Sequence, residues 1–146
     1  MFRGNHPTRV DEKGRLKLPA DFRGQLEGGP EAKQVFYITS KDGERAEIWP
    51  IKAWEAIEAQ LAKVPSTNPA KRKFLDVTNY YGQMAEMDTQ GRVLLPQILR
   101  ERAGLAADVV VYGAQTYFEV LNRPEVEKQE QKLTADDLAG LSELGI

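Results

Sequence analysis

Asp11-Glu12-Lys13-Gly14-Arg15-Leu16-Lys17-Leu18-Pro19-Ala20-Asp21-Phe22-Arg23 returns 77 residues later, without a gap, as Asp88-Thr89-Gln90-Gly91-Arg92-Val93-Leu94-Leu95-Pro96-Gln97-Ile98-Leu99-Arg100. Six of the thirteen positions are identical, and the Leu16/Val93 and Phe22/Leu99 pairs keep apolar character. Chance does not produce such a match in a chain of 146 residues, so the sequence is an internal duplication. Each copy continues in the same order. A β-rich run (Val35–Ile38 or Val109–Tyr112) leads to a short turn and a second strand-like stretch (Ala46–Trp49 or Tyr117–Leu121). A helix is then expected to open at or near Pro50 or Pro124, where a missing N–H costs least.

Outward from the repeats, Ile51, Trp54, Ile57, Leu61 and Val64 recur at helical spacing. Pro65-Ser66-Thr67-Asn68-Pro69 stops that helix, and a second helix is expected from Ala70 to Tyr81. In the tail, Thr134 and Asp137 have the spacing of a capping box ahead of Leu138, Leu141 and Leu144. The expected class is α+β: a first repeat over 1–65, a linker and connecting helix over 66–83, a second repeat over 84–132, and a tail over 133–146 that can be helical.

Within the motif, Asp at the first position and Gly at the fourth suit a type I turn, with the carboxylate bonding forward to backbone N–H groups. Asp11, Gly14, Asp88 and Gly91 are therefore turn residues. After the turn, side chains alternate across a strand, so Arg15 and Lys17 share one face and Leu16 and Leu18 the other. The second copy keeps the arginine as Arg92 but has Leu94 in place of the lysine, so its polar face is weaker. Pro19 and Pro96 fit the first position of a short helix, with Arg23 and Arg100 one turn on, placed to cap helix carbonyls. For Asp11 and Asp88 two roles stay open, a turn-holding ion pair with Arg15 and Arg92 or a part in binding. For the arginines, contact with a partner is favoured, because a guanidinium makes paired hydrogen bonds to phosphate or guanine edges.

Composition narrows the chemistry. Apolar residues are 41% and charged residues 29% of the chain, as in globular proteins. No apolar run approaches the roughly 20 residues of a membrane-spanning helix, and Met1–Pro7 lacks a signal-type segment, so cytoplasmic residence is expected. Cysteine is absent and His6, expected in a mobile terminus, is the one histidine, which argues against thiol, zinc-ribbon and Ser-His-Asp chemistry. Asp136-Asp137 and Glu125/Glu127 look like solvated helix faces. No catalytic residue, metal, cofactor or small-molecule substrate is therefore expected. The net charge of −2 hides an asymmetry: residues 1–25 hold six cations against three carboxylates, and residues 71–102 six against four. Phosphate binding depends on where cations cluster, not on the average.

The doubled D-x-x-G-R-x-x-L-P-x-x-x-R, the opening Met1-Phe2-Arg3-Gly4 and the length together resemble the bacterial MraZ family, within the AbrB-like transcription factors. The resemblance implies two tandem AbrB-like repeats forming a double-split, swapped-hairpin β-barrel with flanking helices, assembled into a ring of many subunits. It also implies a nucleoid-associated regulator that binds double-stranded DNA at short repeated promoter elements of the division and cell-wall gene cluster. The family's DNA-contacting motif falls on Asp11 to Arg15 and Asp88 to Arg92, with Arg15 foremost. Gly14 and Gly91 lie within it; Lys13, Lys17 and Arg3 are expected mostly on phosphates. Asn79-Tyr80-Tyr81 departs from the smaller residues usual there. The alternative is an oligomeric protein-interaction scaffold anchored by Trp49, Trp54, Tyr80 and Tyr81, although their spacing favours core or subunit interface. Lys71-Arg72-Lys73 is expected to be a solvated helix face.

Overall fold

Short-range chemistry sets the elements of the computed structural model, which describes residues 1–29 and 31–146. In order they are β1 (Asn5–Arg9), β2 (Arg15–Lys17), α1 (Ala20–Arg23), β3 (Val35–Thr39), β4 (Ala46–Pro50), α2 (Ile51–Ala62) and α3 (Pro69–Tyr80). The second copy supplies β5 (Gln83–Glu86), β6 (Arg92–Leu94), α4 (Gln97–Arg102), β7 (Asp108–Gly113), β8 (Phe118–Asn122), α5 (Arg123–Glu127) and α6 (Ala135–Glu143). Pro19, Pro50 and Pro96 keep an extended ψ of 134–138° and cap their helices from outside; for Pro19 and Pro96 this is one place earlier than the first helical position the sequence suggested, while α2 opens beside Pro50 as expected. Pro124 lies inside α5, behind an Asn122 cap that accepts from Glu125 N. α3 begins on Asn68, whose Oδ1 accepts from Ala70 N and Lys71 N, with proline next in line. The capping box at α6 is formed by both of its bonds, at 2.9 and 3.1 Å.

The strands exchange between the copies. β3–β4 and β7–β8 are antiparallel hairpins joined edge to edge by β4 and β8. The first strand of each copy crosses to the other's hairpin: β1 pairs with β7, Asn5 opposite Tyr112, and β5 pairs with β3, Gln83 opposite Ile38. The resulting sheet has the order β1-β7-β8-β4-β3-β5, and β2 and β6 form a separate two-stranded ribbon. The α+β class is as expected, while the ladders describe an open sheet plus a ribbon and not a closed barrel, because no pairing joins β1 to β5.

Alternation along the strands makes one core from both copies. Phe36, Ile38, Ile48, Val109, Val111 and Phe118 point from one face of the sheet into a cluster with Leu16, Leu18, Val93 and Leu95 of the ribbon and with Phe22 and Leu99 of the short helices. Phe2, Phe22 and Phe118 meet pairwise at 5.2–5.3 Å between ring centres. The amino-terminal segment is thus tied down, not mobile as expected: β1 is hydrogen-bonded to β7, Phe2 is buried, and His6 packs edge-on against Phe22 at 4.9 Å. The other face lies against α2 and α3, where Tyr37 stacks on Trp54 and Trp54 on Phe74. Glu47 is buried there, but it accepts from Trp49 Nε1 at 2.9 Å and pairs with Lys41 at 3.1 Å, so its charge is matched. α6 stands apart, every residue exposed except half-buried Leu141.

Candidate nucleic-acid interface

Each motif turn is built around its aspartate. Asp11 Oδ1 accepts from the backbone N–H groups of Lys13 and Arg15, both at 2.9 Å, and Oδ2 accepts from Arg15 Nε at 2.8 Å. Asp88 repeats the pattern with Gln90 N, Arg92 N and Arg92 Nε, all at 2.9 Å. These donors, led by the Arg15 and Arg92 backbone N–H groups, hold both carboxyls below their ordinary 3.8, so both are ionised near neutrality. Gly14 and Gly91 close the turns at φ +83° and +77°, a conformation that side-chain-bearing residues rarely adopt. In the structure the aspartates organise the turn and hold the arginine through Nε.

Because only Nε is engaged, the outer edge of each guanidinium is left available. Among the described residues no protein acceptor meets the η nitrogens of Arg15 or Arg92, and the two side chains keep 32% and 24% of their surface exposed. They share one face of the ribbon. Leu16 lies opposite Val93, both buried; Arg15 lies opposite Leu94 and Lys17 opposite Arg92, all on the outward side. Ladder geometry sets the diagonal Arg15 and Arg92 about 7–8 Å apart, with the Cβ atoms somewhat closer. The outward face thus carries three cations and, at Leu94, an apolar side chain that is 47% exposed. Lys13 is exposed on the first turn, where the second turn has neutral Gln90.

Other candidates are scattered. Arg3 precedes β1 near the β7–β8 turn, where Phe2 bridges Gln115; the bend at Gly4 and the length of β1, six residue steps or up to about 20 Å, separate it from Arg9 beside the first motif. Lys71 donates to Val64 O, and Arg72 and Lys73 belong to α3, outside the ribbon. Trp49, Trp54 and Tyr81 are buried and cannot anchor a partner; Tyr80 is exposed but lies under Arg102, 5.3 Å from its ring centre. Pro19 and Pro96 cap α1 and α4 directly after the ribbon. Arg23 and Arg100 do not cap helix carbonyls. Their Nε atoms donate to Leu18 O and Leu95 O, at the ends of the ribbon strands, and each guanidinium lies over the glycine of the opposite motif. Both had been visible as identical positions of the repeat, but a contact between copies leaves no mark in either copy alone.

Among the described residues no helix is long and apolar enough to cross a membrane, and no group of three His, Cys, Asp or Glu residues could hold a metal ion. The family described as "MraZ protein, putative antitoxin-like" matches residues 1–77 and 82–143, nearly the whole chain in two stretches that follow the duplication. The chain belongs to the MraZ family. It is 60% identical over 149 aligned residues to the transcriptional regulator MraZ of Acidobacterium capsulatum and 49% identical over 148 to that of Koribacter versatilis, with all of each chain covered. The MraZ regulator of Coxiella burnetii is 35% identical over 94% of this chain and 90% of its own. These MraZ relatives are named as regulators of transcription, not as enzymes.

Proposed function

We propose that the chain is a sequence-specific, DNA-binding transcriptional regulator that meets double-stranded DNA through the outward face of the β2–β6 ribbon. The observation that carries this is the pair of guanidinium groups on that face, each aimed by an aspartate through Nε with its η nitrogens free. A two-stranded ribbon fits the major groove, about 12 Å wide, where a guanidinium can bond the O6 and N7 edge of guanine. Arg15 and Arg92 are assigned to base edges; Lys17 and Lys13 are assigned to phosphates, which position the protein without reading sequence. Gly14 and Gly91, expected among the DNA contacts, are buried under Arg100 and Arg23, so they serve the geometry of the turn and not contact with the duplex. Arg3 is a peripheral contact at most, given its distance along β1.

The exchange of first strands between hairpins supports reading the duplicated fold as a swapped-hairpin barrel completed by packing of the ribbon on the sheet, since the strand ladders themselves stay open, with 66–83 as the connector between repeats. Membership of the MraZ family directs the proposal to repeated promoter elements of the division and cell-wall gene cluster, and to a cytoplasmic, nucleoid-associated protein. A ring of identical subunits is supported by what the single chain leaves uncovered: the outer edges of β1 and β5, Met84 on β5, and Leu133, Leu138, Leu144 and Ile146 around α6. A ring would also offset the acidic average charge, because linked weak sites bind repeated elements with high avidity.

The test is an electrophoretic shift with a fragment carrying such repeats, run beside gel filtration. Arg15→Ala is expected to weaken specific binding by at least about tenfold, the worth of one bidentate base contact. Arg92→Ala is expected to do the same or less, with the fold and assembly unchanged in both. An undiminished shift for both variants would remove the ribbon from the site.

A further inference from the structure

Each motif is closed by an arginine belonging to the other copy. Gly14 O accepts from Leu95 N at 2.9 Å, Leu95 O accepts from Arg100 Nε at 3.1 Å, and the Arg100 guanidinium lies so close over Gly14 that any Cβ there would collide with it. The mirror circuit runs from Gly91 O to Leu18 N at 2.9 Å and from Leu18 O to Arg23 Nε at 3.0 Å, with Arg23 Cδ 2.8 Å from where a Gly91 Cβ would sit. Gly14 and Gly91 are buried beneath these side chains although they occupy turns. The next residue in each turn is Arg15 or Arg92, held through its backbone N–H by the same aspartate that fixes its Nε.

We propose that Arg23 and Arg100 are positioning residues acting crosswise: Arg100 of the second repeat holds the first turn and so aims Arg15, and Arg23 of the first repeat holds the second turn and so aims Arg92. This rests on the assignment of Arg15 and Arg92 to DNA. A planar guanidinium suits the task, because it can lie flat on a glycine while its Nε bonds a carbonyl in the same plane, which an ammonium cannot do. The repeats are therefore coupled at the site as well as in the core.

The experiment compares Arg100→Gln and Arg23→Gln, each alone and combined with Arg15→Ala or Arg92→Ala, by fluorescence anisotropy on the promoter fragment and by amide hydrogen exchange without DNA. Arg100→Gln is expected to weaken DNA binding in the wild-type and Arg92→Ala backgrounds but to add nothing to Arg15→Ala. Arg23→Gln is expected to show the converse, adding nothing to Arg92→Ala. Exchange at amides 13–15 should quicken about fivefold in Arg100→Gln, the change in opening that a lost hydrogen bond of ordinary strength produces, while amides 90–92 stay protected. Arg23→Gln should reverse the two segments.

Arg100→Lys keeps the charge and the stem, so it is expected to behave like Arg100→Gln; recovery of wild-type binding and exchange by the lysine would show that charge alone suffices and overturn the proposal. So would additive losses in both backgrounds, the mark of direct DNA contact, or equal exchange changes in both turns. If Arg15→Ala and Arg92→Ala themselves bind DNA normally, the DNA assignment fails, and the exchange pattern still decides the crosswise bracing.

Discussion

Raising salt should separate the ribbon's phosphate contacts from everything else it does. Lys13 and Lys17 are the cations assigned to phosphates, two per engaged chain. If each neutralises one phosphate, the logarithm of affinity should fall against the logarithm of salt with a slope of about −1.8, from about −0.9 per phosphate on duplex DNA. Between about 50 and 200 mM salt this is a weakening of about 12-fold per engaged chain. Lys17→Ala removes half of that charge, so the slope per engaged chain should drop to about −0.9 and the weakening to about 3.5-fold, and the ratio of the two slopes, about one half, holds whatever the number of chains engaged. Lys17 is exposed and outward, and its loss leaves the Leu16 anchor in place. The assay is a titration of labelled promoter fragment by anisotropy at four or more salt concentrations for both proteins. A slope near zero, or one that Lys17→Ala leaves unchanged, would refute the assignment of this face to DNA phosphates.

Other consequences concern the fold beneath the ribbon. Leu16→Ala removes a fully buried side chain from under the ribbon and should cost about 2–5 kcal/mol in urea unfolding, with the spread set by how far the site collapses. Asp11 and Asp88 are more acidic folded than unfolded, so their contribution to stability is complete above the ordinary 3.8 and fades as pH falls through the lower folded value. An Asp11→Asn, Asp88→Asn double variant should therefore lose less stability than the parent between pH 5 and the acid midpoint, as followed by chemical denaturation at stepped pH. Thr134→Ala breaks the cap of α6 at a cost of about 1 kcal/mol to that helix. Because α6 buries no side chain fully, the main unfolding transition should not move, whereas amide exchange in 135–143 should quicken.

The duplication, the outward guanidinium of Arg15 and the buried Leu16 were legible in the sequence because they depend on local rules: a turn set by Asp and Gly, and alternation along a strand. The helices over 51–62 and 69–80 followed from spacing and from the proline-bounded linker for the same reason. What the sequence concealed was pairing at long range. That β1 lies on β7 and β5 on β3 depends on contacts about a hundred or about fifty residues apart, which no periodicity records. His6 read as part of a loose terminus because its anchor, Phe22, is sixteen residues away, across the core. Arg23 and Arg100 read as helix caps because each lies near a helix end, while the glycines they cover belong to the other repeat.

The pairing of Lys17 with Arg92 at one end of the ribbon and of Arg15 with Leu94 at the other follows from two half-motifs joined in one polypeptide. Had the halves been separate identical chains, symmetry would have imposed the same side chains at both ends, and any duplex lying across them would have been required to be a palindrome. Tethering removes that requirement. Each end was free to diverge, so a ribbon with a lysine at one corner and a leucine at the other suits an asymmetric stretch of bases read in a single direction, and a row of such elements would gain a polarity that the ribbon's own fold can sense.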